Sequence, residues 1–188
     1  MAVPDRPVIS PITVLTPVRR LWAWWLWLSW LFADRSRWIK GPLLELSFIH
    51  AAHWGLMDRL PAAGPRRRAR RLPAPYVVFQ SNYDGPAQEY AEAFAIKVAW
   101  RINGLWWGGY GFPGPRPQAR FVKYVLDHAI VGPFHYYSAY PTGTVRTVRS
   151  ALELGPSFER FRADAEGLDA EAFAEAWRGF LTREQRNL

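Results

Sequence analysis

No cysteine occurs in this chain. It can therefore form no disulfide, offer no thiolate nucleophile and hold no metal or cluster through cysteine sulfur. Redox chemistry would need a bound cofactor, and reducing and oxidising compartments suit the chain equally. Histidines number only four, and none belongs to the compact HExxH spacing of a zinc protease. Acidic residues are in the minority, 16 Asp and Glu against 24 Lys and Arg, which leaves a formal net charge of +8. An apolar run of the roughly 20 residues that a bilayer span needs is also missing. The longest run, Leu21 to Phe32, stops at about 12 residues, too short to span. It begins late and ends in Ala33-Asp34-Arg35, a poor match to a secretory cleavage site, so export is not expected.

What the chain has instead is tryptophan. There are eleven in 188 residues, and Trp22, Trp24, Trp25, Trp27 and Trp30 fall within the one run. With 49% apolar and 21% charged residues the composition is that of a folded protein of one domain. The rings must find packed or interfacial places. No face of the run is polar, so it needs an apolar host: the core, a partner or a bilayer surface. Arg19 and Arg20 precede it, and Arg35, Arg37 and Lys40 follow.

Pro4, Pro7, Pro11 and Pro17 predict an extended tether over 1–17. A Trp-rich helix is expected over 18–40, started beside Pro17 and stopped by Gly41-Pro42. Such a helix suits an interface, where Trp prefers the headgroup level and flanking Arg and Lys complement acidic lipid. Packing as an arm on its own domain, or on a twin, is the competing reading.

Residues 41–188 read as an α+β domain. Strands are expected at Leu43–His50 and Tyr76–Asn82, joined by a solvated Pro- and Arg-rich loop that contains Arg66 to Arg71. A helix follows from Pro86 to Asn103, then a Gly-Trp segment from Gly104 to Pro117 that looks like a lid or contact surface. Further elements are a helix over Gln118–Ala129, a strand over Phe134–Ala139, a helix from Thr142 or Thr144 to Leu154 that breaks at Gly155-Pro156 and resumes to Ala163, and a last helix capped by Asp169. The order predicts a ferredoxin-like antiparallel sheet covered by helices. Only residues 105 to 116 could supply a fourth strand, in an irregular form.

The best local motif is Phe79-Gln-Ser-Asn-Tyr-Asp-Gly85 followed by Tyr90. Asn82 and Asp84 can bond backbone amides, and Gly85 can take a positive φ. This motif, Tyr136 to Pro141 with Thr144 and Val145, and Phe48 to His53 resemble a poorly characterised bacterial group with a ferredoxin-like, dimeric α+β-barrel-like domain, sometimes found in peroxidase-related contexts. The resemblance covers roughly residues 43 to 160. It implies a barrel built by pairing two sheets, and no catalytic residue is carried over from it.

Candidate ligand-binding residues are His50, His53, Asn82, Asp84, Tyr90, Trp106, Trp107, His128, His135 and Tyr137. The four histidines together could form a nitrogen-rich metal site, or one could be an axial haem ligand. Asp84 with His135 could serve acid-base work. The alternative for each is a residue bonded to nearby backbone. No cofactor or metal follows from the spacing. Candidate membrane or partner contacts are Arg19, Arg20, Trp22, Trp24, Trp25, Trp27, Trp30 and Arg35.

Two functions compete. One is a non-catalytic, cytoplasmic binding protein, peripheral on the inner membrane face or part of a complex, with residues 18–40 as its anchor. The other is a small haem- or metal-associated oxidoreductase with a pocket between the sheet and the Gly-Trp segment. A homodimer joined through the N-terminal helix is a third expectation. The basic loop suits anionic lipid or an acidic protein better than nucleic acid.

Overall fold

A computed structural model describes residues 8–33, 46–62, 64, 68–130 and 136–188. It is an α+β fold in which helices pack against a small antiparallel sheet. The elements are β1 (Ile9–Pro17), α1 (Arg20–Ala33), β2 (Ile49–Leu60), β3 (Arg70–Asp84), α2 (Ala87–Lys97), α3 (Ala99–Trp106), α4 (Gln118–Asp127), α5 (Val145–Asp164) and α6 (Ala170–Glu184).

The strand order is β1-β3-β2, with β3 antiparallel to both neighbours. Alternation places Ile12, Val14 and Thr16 of β1 beside Ser81, Phe79 and Val77 of β3, and Ala52, Trp54 and Leu56 of β2 on the same side. This face is the one the helices cover. It meets Tyr90, Phe94, Ile102 and Trp106 from α2 and α3, Val98 from the junction between them, and Phe121, Val122 and Val125 from α4, all in one buried cluster. The period of two in the strands and the 3.6-residue period in α2 and α4 thus converge on a single core.

Ile9–Pro17 is extended as expected, but as a paired edge strand rather than a free tether. Proline is tolerated there because the outer side of an edge strand needs no continuous ladder of N–H donors. A short segment after α4 does meet that outer side. Leu15 donates its N–H to the His128 carbonyl at 2.9 Å, Ile130 donates to the Thr13 carbonyl at 2.8 Å, and Val14 forms an antiparallel bridge with Ala129.

Other boundaries differ from the sequence reading. The first hairpin strand starts at Ile49, not Leu43, because 46–48 form the buried Leu46 and a turn; 43–45 lie outside the described residues. β3 reaches back to Arg70, so Arg70 and Arg71 belong to the sheet while Arg66 and Arg67 lie outside the described residues. The helix expected over 86–103 is two helices that meet at Val98, and the second extends through Gly104 to Trp106. Residues 107–117 form turns and no strand, save one bridge between Gly109 and Val18. α5 runs unbroken through Pro156, since proline removes a single N–H from a helix of 20 residues. Of the strand expected at Phe134–Ala139, residues 134 and 135 lie outside the described residues, and 136–139 are not a strand. Thr144 and Asp169 cap α5 and α6 as expected, accepting from Thr147 N, and from Glu171 N and Ala172 N.

The last two helices form an aromatic hairpin in which Phe161 and Phe180 are buried. Phe161 packs on Trp177 and Phe180 at ring distances of 5.4 and 4.9 Å.

Candidate functional site

α1 begins at Arg20, two residues later than the sequence suggests, because Val18 is still occupied as the end of the sheet: its N–H donates to the Pro75 carbonyl at 2.8 Å. Pro73 and Pro75 explain what happens next. Neither can donate to a ladder, and the β2–β3 register jumps from the pair Met57 and Tyr76 to the pair Arg59 and Arg71. The segment bulges, and its freed carbonyls point to the start of α1. Arg20 Nη2 donates to the Leu72 and Pro73 carbonyls at 2.8 and 2.9 Å.

The helix divides its rings. Leu26, 1% exposed, packs with Val18 and Val77 in a second buried cluster, supported by Trp22, Ala23, Trp30, Leu56 and Leu105. Trp22 stacks on Trp25 at 4.5 Å and donates Nε1–H to the Leu105 carbonyl at 3.4 Å. On the other side Trp24 is 70%, Trp25 46% and Trp27 51% exposed, joined by the exposed Leu21, Leu28 and Leu31. The arm is therefore neither buried in its own domain nor free of it. It docks along one line and turns a continuous apolar face outward. At about 1.5 Å per residue its 14 residues make a rod about 21 Å long. Among the described residues no helix is long and apolar enough to cross a membrane. Arg19 is exposed, and Arg35 lies outside the described residues.

The other predicted ligand residues do not assemble around one point. Trp106 is buried and donates Nε1–H to Thr16 Oγ1 at 3.2 Å, so it is core; Trp107 is exposed beside it. Tyr137 is exposed. Tyr90 is buried and stacks on Tyr83 at 3.9 Å, and burial pushes its hydroxyl pKa up, which suits it poorly to proton transfer at neutral pH. Its hydroxyl is buried with no partner of hydrogen-bonding geometry, and the neighbouring Ser81 Oγ donates to the Ala51 carbonyl at 3.0 Å.

His50 and His53 separate. A bulge between Ile49 and Ala51 turns His50 toward Asp84, where Nε2–H donates to Oδ1 at 2.8 Å. His53 is exposed on the open side of the sheet opposite Gln80, in a cleft of about 380 Å³ that Asn82 and Tyr136 also line. His128 donates Nδ1–H to the Tyr124 carbonyl at 2.8 Å. His135, expected to pair with Asp84, lies outside the described residues. Among the described residues no three His, Asp or Glu side chains come together as a metal site would require.

Asp84, expected as a turn residue and as a candidate for ligand binding or acid-base work, is a structural junction. Besides His50 it accepts the Val145 N–H on Oδ2 at 3.0 Å, fixing the first residue of α5. Gly85 follows with φ of 89° and donates its N–H to the Val8 carbonyl at 3.1 Å. The expected positive φ is thus what lets the chain leave β3 and enter α2.

Comparison of the chain with family models, with curated proteins and with solved structures returns no match. The geometry alone carries the functional argument.

Proposed function

We propose that the chain is a non-catalytic peripheral membrane protein, held at the cytoplasmic face of a bilayer by α1. The reading rests on one observation: Trp24, Trp25 and Trp27 face outward while Leu26 between them is buried. A helix selected only to complete its own core would place small or polar residues on that outer line. Trp in the headgroup layer gains from both its apolar body and its polar N–H, and the basic character of the chain adds attraction to acidic lipid. A protein complex that covers the same rings is the alternative occupant.

The finer fold assignment proposed with it is ferredoxin-like. Its support is the order β1-β3-β2, the helix between β1 and β2, and the short bridge of Ala129 on the outer edge of β1, where a fourth strand would lie. The homodimer that the family resemblance implies would pair two sheets through the side bearing Leu15, Val78 and Met57.

Vesicle flotation tests the membrane reading. The wild-type chain should float with lipid vesicles, and a Trp24→Ser, Trp25→Ser, Trp27→Ser variant with an unchanged circular dichroism spectrum should stay at the bottom. Equal flotation of the two would remove α1 as the anchor, and absence of flotation by the wild type would remove the membrane.

A further inference from the structure

The hairpin register sets two arginines opposite one another. Arg59 of β2 is the cross-strand partner of Arg71 of β3, an arrangement in which like charges repel and destabilise the sheet. Arg59 has a loose contact with Asp58, 3.6 Å between exposed groups, which screens little of that repulsion. Arg71 has no carboxylate partner among the described residues. A third guanidinium, that of Arg20, is held nearby by the Leu72 and Pro73 carbonyls, which neutralise none of its charge.

These three arginines line one groove of about 460 Å³ between α1 and the end of the hairpin, and Trp24 and Trp27 form its opposite wall. Asp58 is the one acidic residue in that lining, so the groove keeps an excess of positive charge. Guanidinium groups gathered beside exposed indoles are the chemistry that receives a phosphate ester with an apolar tail. We propose that this groove binds the phosphate headgroup of an anionic phospholipid, with Arg59 and Arg71 as its ligands and Trp24 and Trp27 against the glycerol and upper acyl region. An anion between the arginines converts their repulsion into a shared attraction. The inference rests on the membrane reading above and adds to it a lipid class and a site.

The test compares the wild-type chain and an Arg59→Gln, Arg71→Gln variant on vesicles of phosphatidylcholine alone and of phosphatidylcholine doped with phosphatidylglycerol. The wild type should prefer the doped vesicles, and the variant should lose about 25-fold in affinity for them, about fivefold per arginine brought to an anionic leaflet. On neutral vesicles the two should bind alike through the tryptophans. The variant should melt no lower than the wild type, since a repulsive pair has been removed. Equal binding of the two to doped vesicles would overturn the headgroup site while leaving the α1 anchor in place. Failure of the wild type to bind either vesicle would overturn the anchor and the headgroup site with it. Soluble glycerol phosphate that displaces the protein from doped vesicles at low millimolar concentration would show a site for free phosphate esters and overturn the lipid assignment.

Discussion

The Trp22 indole lies directly on the backbone of Gly108: a Cβ built on that glycine would fall inside the ring and the Trp22 Cβ. The contact joins the first turn of α1 to the segment after α3, and Arg19 strengthens it by donating its N–H to the Gly108 carbonyl at 3.0 Å. Gly108→Ala should therefore lift α1 from its seat. Overpacking of this kind costs about 1–3 kcal/mol. Chemical denaturation should show that loss, and tryptophan emission should shift to the red as Trp22 gains water.

Neighbouring positions on α1 should behave in opposite ways. Leu26→Ala removes a fully buried side chain from the cluster with Val18 and Val77, for a loss of about 2–5 kcal/mol. Trp24→Ala, two residues earlier and largely exposed, should change stability by about 0.5 kcal/mol or less while weakening vesicle binding. Denaturation curves and flotation on the same two proteins check both halves. If Trp24→Ala destabilised as much as Leu26→Ala, the outer face would be packed in the free protein.

Local signals in the sequence were strong where chemistry is local. Pro86 before α2, Thr144 and Asp169 as caps, and the alternation of Tyr76 to Asn82 depend on residues within a turn or two of each other, and the structure has them. β1 was not legible because Pro11 and Pro17 signal a break unless the strand is known to lie at an edge, which is a property of the whole sheet. The Arg59 and Arg71 pair was hidden for a related reason. It depends on the length of the bulge at Pro73 and Pro75, and a plain count across the hairpin would not give that register. The apolar run itself was plain, but which of its rings face outward depends on where Val18 and Val77 meet the helix. A phase cannot be read from a segment with no polar side.

Asp84 makes a prediction separate from the membrane reading. Its two oxygens accept from His50 and from the Val145 N–H, so Asp84→Ala leaves both half-buried donors without an acceptor. The loss should be about 1–3 kcal/mol. Asp84→Asn, which keeps one acceptor oxygen, should lose less. Hydrogen exchange at Val145 should quicken in Asp84→Ala while exchange at the centre of β3 is affected only through global stability. Unchanged protection at Val145 would mean that the start of α5 is held by Thr144 alone.

Burial raises the pKa of three tyrosines above the ordinary value of 10, so each of them favours the folded chain less as alkali removes its proton. Tyr124 is pushed up to about 12 by desolvation, and Tyr83 and Tyr90, stacked in the core, are raised by the same cause. A phenol whose pKa is higher in the folded chain than in the unfolded one holds its proton more tightly when folded. Its contribution is complete below about pH 10 and is lost as pH climbs from 10 toward 12. The melting temperature should accordingly fall across that interval, and phenolate absorbance from these three residues should appear together with unfolding rather than before it. Tyr124→Phe removes one titrating group along with the hydroxyl that donates to the Tyr110 carbonyl at 3.3 Å. It should melt lower near neutral pH because that bond is gone, yet lose less than the wild type between pH 10 and 12. A wild-type melting temperature that stayed level through that interval would show that water reaches these hydroxyls in the folded protein.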